Sequence, residues 1–162
     1  MRNILVTSAA ALLLVVTAAQ AEGDRTVKSV EVDADLAAIE NPAAAAYWTS
    51  IADDLENAIV ARITDQIADD GVDLSIDISE VELSNGFQDA LGLADTKLVG
   101  RVKMTHASDN TRFETFDLSV DVNSAIPYLP AGMDVTIIPA ETREFYDAMI
   151  SAYAEAVVDR LT

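Results

Sequence analysis

Apolar and polar residues alternate from Val27 to Leu36. Val30, Val32, Ala34 and Leu36 share one side; Ser29, Glu31, Asp33 and Asp35 share the other. A repeat of two predicts a strand buried on one face only. Further on the period changes. Trp48, Ile51, Leu55, Ile59, Ile63 and Ile67 recur every three or four residues, while Asp53, Asp54, Glu56, Asn57 and Asp65 fall off that line. This is the apolar stripe of an amphipathic helix. Asn41-Pro42 supplies a cap and a preformed first residue, and Gly71 supplies a left-handed stop. One long helix is therefore expected between Pro42 and Gly71.

Alternation resumes at Val72. Val72, Leu74, Ile76 and Ile78 share a face, and then the apolar parity switches to Val81 and Leu83. One extra residue near Ser79-Glu80, a β-bulge, accounts for the switch. Ser84-Asn85-Gly86 marks a turn, and Phe87 to Thr96 is expected to hold a short helical turn. Lys97 to His106 and Arg112 to Val122 then read as a hairpin. Leu98, Gly100, Val102 and Met104 share a face of the first strand, and Phe116, Leu118, Val120 and Val122 share a face of the second. Residues paired across a ladder lie on the same face. A three-residue loop at Ser108-Asp109-Asn110, with Asn110 left-handed, meets that condition. It pairs Val102 with Phe116, Gly100 with Leu118 and Leu98 with Val120, and on the outside Arg101 with Asp117 and Lys97 with Asp121.

The outward side of the Lys97 strand is basic (Lys97, Arg101, Lys103). Its expected neighbours are acidic outside, with Asp73 and Asp77 on one and Asp117 and Asp121 on the other. Opposite charges favour pairing by about 0.2–1 kcal/mol each, so the basic strand belongs in the middle of an antiparallel meander. The Val27 strand is also acidic outside, and its edge stays open. Asn123 to Thr136, with Pro127, Pro130 and Gly132, is expected to be a loop. Pro139 opens a last helix whose buried stripe is Phe145, Met149, Ala152, Ala156 and Val157, with Tyr146, Ile150, Tyr153 and Leu161 alongside. The expected fold is α+β in the order β-α-β-β-β-α: a four-stranded, mainly antiparallel sheet with two amphipathic helices on one face.

The N-terminus adds an address. Met1-Arg2-Asn3 is basic, Ile4 to Thr17 is apolar, and Ala19-Gln20-Ala21 is an A-x-A cleavage site. That order predicts a signal peptide at 1–21, cut between Ala21 and Glu22, and a single domain at 22–162 in the periplasm or outside the cell. Ile4 to Ala21 also reaches the minimum length of a membrane span; the A-x-A site favours cleavage, leaving no stable membrane anchor. The 162 residues contain no cysteine, which excludes a lipobox, disulfides, thiol catalysis and thiolate metal sites. The net charge is −18 and becomes −19 once Arg2 leaves with the leader. A body this negative is a poor ligand for nucleic acid or anionic lipid and a good one for cations or a basic partner.

Candidate chemistry is sparse. His106 is the single histidine, so any serine–histidine–acid catalysis must use it. The hairpin register sets it opposite Arg112, with Glu114 on the same face. His106, Arg112 and Glu114 are thus the candidates for anion binding or proton transfer, without a G-x-S-x-G element beside them. Asp69-Asp70-Gly71-Val72-Asp73 lacks the alternate oxygen ligands and closing glutamate of an EF-hand, and one histidine without cysteine does not make a zinc site. No metal site and no cofactor are expected. Gly100, inside a strand, predicts close approach of a helix side chain such as Trp48. Tyr47, Trp48 and Tyr128 are candidates to line a small apolar pocket between helix and sheet; core packing is the default reading for Trp48, whereas Tyr128 sits in a loop of the kind that carries contacts.

The segments Asn41-Pro42-Ala43-Ala44-Ala45-Ala46-Tyr47-Trp48, Val72-Asp73-Leu74-Ser75-Ile76-Asp77-Ile78 and Leu98-Val99-Gly100 resemble uncharacterised exported proteins of marine alphaproteobacteria. The resemblance spans most of the chain after the leader and implies no assigned activity. The order of elements is also similar to small periplasmic envelope-assembly modules. Together these readings lead to an expectation of a non-catalytic binding or protein-interaction domain of the cell envelope, its partner an unknown protein or small ligand. The alternatives are a small periplasmic enzyme using His106 with a nearby carboxylate, and a weak divalent-cation binder.

Overall fold

A computed structural model describes residues 25–38, 42–82, 96–133 and 142–161. The strands are β1 (Val27–Ala34), β2 (Val72–Glu82), β3 (Lys97–Thr105) and β4 (Glu114–Asp121). The helices are α1 (Pro42–Tyr47), α2 (Ile51–Arg62), α3 (Val122–Ala125) and α4 (Arg143–Val158), with 3-10 turns at Leu36–Ala38, Asn110–Arg112 and Ile126–Tyr128. Residues 1–21, the expected cap Asn41, the expected turn at 84–86, the expected helical turn at 87–96 except Thr96, and Pro139 lie outside the described residues.

The sheet order is β1-β2-β3-β4, with β1 parallel to β2 and the other pairs antiparallel. This is the expected α+β fold. Charge sets the middle of the sheet as predicted: Arg101 lies opposite both Asp77 and Asp117, and Lys97 opposite Asp121. The bulge falls between Ile78 and Glu80. Beside β2, β1 brings Asp33 opposite Asp77. Here the apolar face decides, because Val30 meets Leu74 and Val32 meets Ile76, while the two carboxylates face solvent, where their repulsion is screened. The crossover that a parallel pair requires is supplied by α1 and α2.

One face of the sheet is packed. Trp48, Ile51, Leu55, Ile59 and Ile63, and from α4 Phe145, Tyr146, Met149, Ala152, Tyr153 and Val157, are buried with Leu74, Ile76, Leu98, Val102 and Met104. Ala156 is only half-buried.

Several expectations are corrected. The long helix is broken at Trp48-Thr49-Ser50, where the Thr49 hydroxyl donates to the carbonyls of Ala45 (3.2 Å) and Ala46 (2.7 Å). A side chain that bonds back to the preceding turn bends a helix and competes for its carbonyls. The helix restarts at Ile51 and ends at Arg62, whose guanidinium donates to the Ala58 carbonyl at 2.8 Å. The following segment is taken by β1 instead: Val27 N donates to Gln66 O, and Ala68 N to Val27 O, both at 2.9 Å. Ile67 accordingly leaves the helical stripe, bridges to Val27 and is 50% exposed. Gly71 is not a left-handed cap, since Gly132 alone has positive φ among the described residues. Glycine is needed at position 71 because the main chain of Val27 and Lys28 passes 2.5–2.7 Å from where a Cβ would stand.

The β3–β4 register is as predicted, but the ladder stops at Met104–Glu114. The expected three-residue loop is replaced by residues 106–113. Asp109 accepts from both the amide (3.0 Å) and the hydroxyl (2.6 Å) of Thr111 and caps a 3-10 turn, so Asn110 is not left-handed. The expected loop after β4 begins as helix α3, because Asp121 accepts from the Ser124 amide at 2.9 Å and its hydroxyl at 2.8 Å. Helix α4 is capped by the Thr142 hydroxyl, which accepts from Phe145 N at 3.3 Å. Gly100 does admit a helix side chain, but it is Tyr153, whose hydroxyl would collide with any added Cβ.

Candidate functional site

The fraying of β3 and β4 beyond Met104–Glu114 decides the fate of the His106 group. His106 Nε2 lies 2.8 Å from the carbonyl oxygen of Asp70, and Ser108 N–H donates to Nδ1 at 3.3 Å. A carbonyl only accepts, so in the neutral ring Nε2 carries the proton and Nδ1 the lone pair. Both nitrogens are thereby engaged with main chain, and the ring ties residues 106–108 to the turn before β2. Glu114 pairs with Arg25 (Nη1 to Oε2, 2.5 Å), and the same Nη1 lies 3.4 Å from Met104 Sδ. Arg112 Nε reaches Asp109 Oδ2 at 3.5 Å. The Asp109 carboxyl is held below its ordinary range, chiefly by the Thr111 hydroxyl. Each of the three sequence candidates is thus joined to a different neighbour, and the His106–Arg112 pairing that would have gathered them does not form.

The acidic turn is also occupied structurally. Asp70 gives its carbonyl to His106, and Asp73 accepts from the Ser29 hydroxyl at 2.7 Å. Among the described residues, no group of three or more His, Cys, Asp or Glu side chains is placed to hold a metal ion.

Tyr47, Trp48 and Tyr146 form an aromatic cluster with ring centroids 4.9–5.4 Å apart. The Tyr146 hydroxyl donates to Asp54 Oδ2 at 2.7 Å, and the Tyr47 hydroxyl to the Thr142 carbonyl at 3.0 Å. Burial raises the Tyr146 phenol far above its usual value, and the bond to Asp54 adds to the effect. Trp48 is fully buried, and its Nε1 has no hydrogen-bond partner among the described residues. The cluster is core, locking α1, α2 and α4 together.

The surface offers a different feature. Ile126-Pro127-Tyr128-Leu129-Pro130-Ala131-Gly132-Met133 is eight residues without a charge, in a chain 23% of which is charged. Ile126, Tyr128 and Met133 are 39, 38 and 37% exposed. Pro127, Pro130, Ala131 and Gly132 are exposed as well, while Leu129 is half-buried. The segment is held from within: Asp121 caps α3, Ala125 is buried, Leu129 N donates to Ile126 O, and Met133 N donates to Pro130 O, both at 3.2 Å. Two prolines fix φ, and Gly132 takes the left-handed conformation, φ 89°. Partial burial raises the Tyr128 phenol, with Glu155 and Asp159 adding to the rise and Arg62 opposing it; Arg62 Nε is itself paired with Glu155 at 3.1 Å. Among the described residues the other exposed large apolar side chains are Ile67, between Gln66 and Ala68 in sequence, and Phe113, between Arg112 and Glu114. Proline, glycine and Tyr128 mark this segment in the sequence; the exposure of Ile126 and Met133 is seen only in the fold.

Fold and surface together define an α+β domain with a mixed four-stranded sheet, one covered face and a preformed apolar turn outside it. Among the described residues no helix is long and apolar enough to cross a membrane. No family model and no curated protein sequence matches the chain. Among solved structures it is similar to a Xanthomonas campestris protein of the family model DUF330, at 19% identity and TM-score 0.47, over 85% of this chain and 84% of that one. It is also similar to a PelC variant dodecamer from Paraburkholderia phytofirmans, at 11% identity and TM-score 0.41, over 82% and 88% of the two chains. A third, a candidate lipoprotein of Caulobacter crescentus, has 13% identity and TM-score 0.33, over 82% and 86%. At these scores the likenesses assign no function.

Proposed function

We propose that the chain is an exported, non-catalytic protein-binding domain of the cell envelope, and that residues 126–133 are its contact face. The observation that carries this reading is the joint exposure of Ile126, Tyr128 and Met133 on one preformed turn of an otherwise anionic body. Contiguous exposed apolar residues rimmed by polar ones mark interaction sites, and a turn already ordered loses little entropy on binding. Export is supported by the basic, apolar and A-x-A order of the first twenty-one residues. A non-catalytic role is supported by His106, both of whose nitrogens are spent on main-chain bonds. The test is photo-crosslinking in living cells with a photoreactive phenylalanine in place of Tyr128. A protein adduct of defined mass in the periplasmic fraction is expected. Absence of any protein adduct from this position, while the chain is present and folded, rejects the reading.

A further inference from the structure

We infer that the surface docking on residues 126–133 is basic around an apolar centre, an inference that rests on the protein-binding reading above. Three features select that chemistry over the other occupants an apolar turn attracts. First, the chain carries −18, so a second copy approaching this turn brings a body of the same sign, and like-charge juxtaposition disfavours the contact. Second, anionic lipid headgroups and nucleic acid meet the same repulsion. Third, helix α4, which carries Glu155 and ends just before Asp159, packs against the 126–128 turn; both carboxylates act on Tyr128, opposed by Arg62, and Arg62 itself donates to Glu155 and the Ala58 carbonyl.

The geometry suits Lys and Arg in particular. An exposed tyrosine ring beside carboxylates receives a cation on its face, worth about 0.5–1 kcal/mol at an accessible site. The Arg62–Glu155 pair is part-buried, with the Glu155 side chain 45% exposed, so the Glu155 carboxylate keeps an open side for an intermolecular cation. Ile126 and Met133 then supply the apolar centre that specific interfaces require, with charge confined to the rim. Charge accelerates encounter, and the apolar turn holds the complex.

Defined probes test this. A helical peptide of leucine and lysine presents an apolar centre with a basic rim; its leucine/glutamine analogue keeps the apolar centre alone, and polylysine keeps the charge alone. By fluorescence anisotropy the leucine/lysine peptide should bind the folded protein, and the double substitution Ile126→Ser/Tyr128→Ser should weaken it about tenfold. Polylysine binding should change less than about twofold, and unaltered melting of the variant by circular dichroism excludes misfolding. Equal binding of the leucine/lysine peptide to protein and variant overturns the inference. So does equal binding of the leucine/glutamine analogue, or failure of the leucine/lysine peptide to bind at all; in each case protein adducts at position 128 still leave the broader reading standing. Concentration-dependent dimerisation abolished by Tyr128→Ser overturns it in favour of a second copy. Binding to phosphatidylcholine vesicles through the same two residues, without protein adducts at 128, overturns both.

Discussion

Replacing Gly71 by alanine probes the junction where the first strand joins the sheet. The added Cβ would stand 2.5 Å from Val27 C, 2.6 Å from Lys28 N and 2.7 Å from Val27 N. All three are main-chain atoms, so no side chain can swing aside, and relief requires β1 to back away. Three hydrogen bonds cross at that point, from Val27 N to Gln66 O, Ala68 N to Val27 O and Val72 N to Thr26 O, each 2.9 Å. Overpacking costs about 1–3 kcal/mol, and weakening one or two of these bonds adds about 1 kcal/mol apiece. The reduced freedom of the unfolded chain offsets about 0.4–1 kcal/mol. The net loss is about 1–5 kcal/mol, or about 3–15 °C in melting temperature at this size. Urea unfolding followed by circular dichroism measures it. Gly71→Asn separates the causes, because asparagine is accepted at a left-handed cap but is bulkier than alanine at a close approach. The structure predicts that Asn is at least as damaging as Ala. An Asn variant more stable than the Ala variant, or either one within about 0.5 kcal/mol of the parent, refutes the close-approach explanation.

Three further outcomes follow from named contacts. The buried Tyr153 hydroxyl has no hydrogen-bond partner among the described residues, so Tyr153→Phe should be neutral or stabilising by about 1 kcal/mol. Gly100→Ala should cost about 1–3 kcal/mol alone and measurably less in the Tyr153→Phe background, while strictly additive effects in a double-mutant cycle would disprove the contact. The Asp121 carboxyl is held below its ordinary value, chiefly by the Ser124 amide. Its contribution is therefore complete above the unfolded carboxylate pKa of about 3.9 and is lost as pH falls through the lower folded value. Asp121→Asn keeps an acceptor for the cap but cannot titrate, so stability should fall less steeply than in the parent as pH drops below about 4; parallel pH profiles would reject the assignment.

What the sequence discloses, and what it withholds, follows from how local each cause is. The order of β2, β3 and β4 is legible because parity and charge act together: Lys97, Arg101 and Lys103 must sit between acidic strands, and Val102 must face Phe116. The placement of β1 is not, because its outer face is as acidic as that of β2, and its apolar pairing with Leu74 and Ile76 prevails over the meeting of Asp33 and Asp77. The helical stripe runs unbroken on paper through Trp48, Ile51 and Ile67, yet a hydroxyl at Thr49 breaks it early and a strand that lies far back in sequence claims its end. Gly71 shows the same gap: glycine is plainly required, but a cap and a close backbone approach leave the same letter. The His106 group fails for a related reason. Pairing parity extends formally to Arg112, but Asp109 draws Thr111 into a local turn before the ladder gets there. Tyr128 stands out as a loop aromatic, whereas the exposure of Ile126 and Met133 beside it has no signature in a local pattern of residues.

The most direct measurement compares crosslinking yields around the molecule. Photoreactive phenylalanine is placed in turn at Ile126, Tyr128 and Met133, and at Asp53 on α2 and Ser119 on the open face of the sheet, all exposed positions. If residues 126–133 are the binding face, one protein adduct of the same mass arises from the first three positions and is absent or much weaker from Asp53 and Ser119. Equal yields at all five positions, or an adduct confined to Asp53 or Ser119, contradict that assignment.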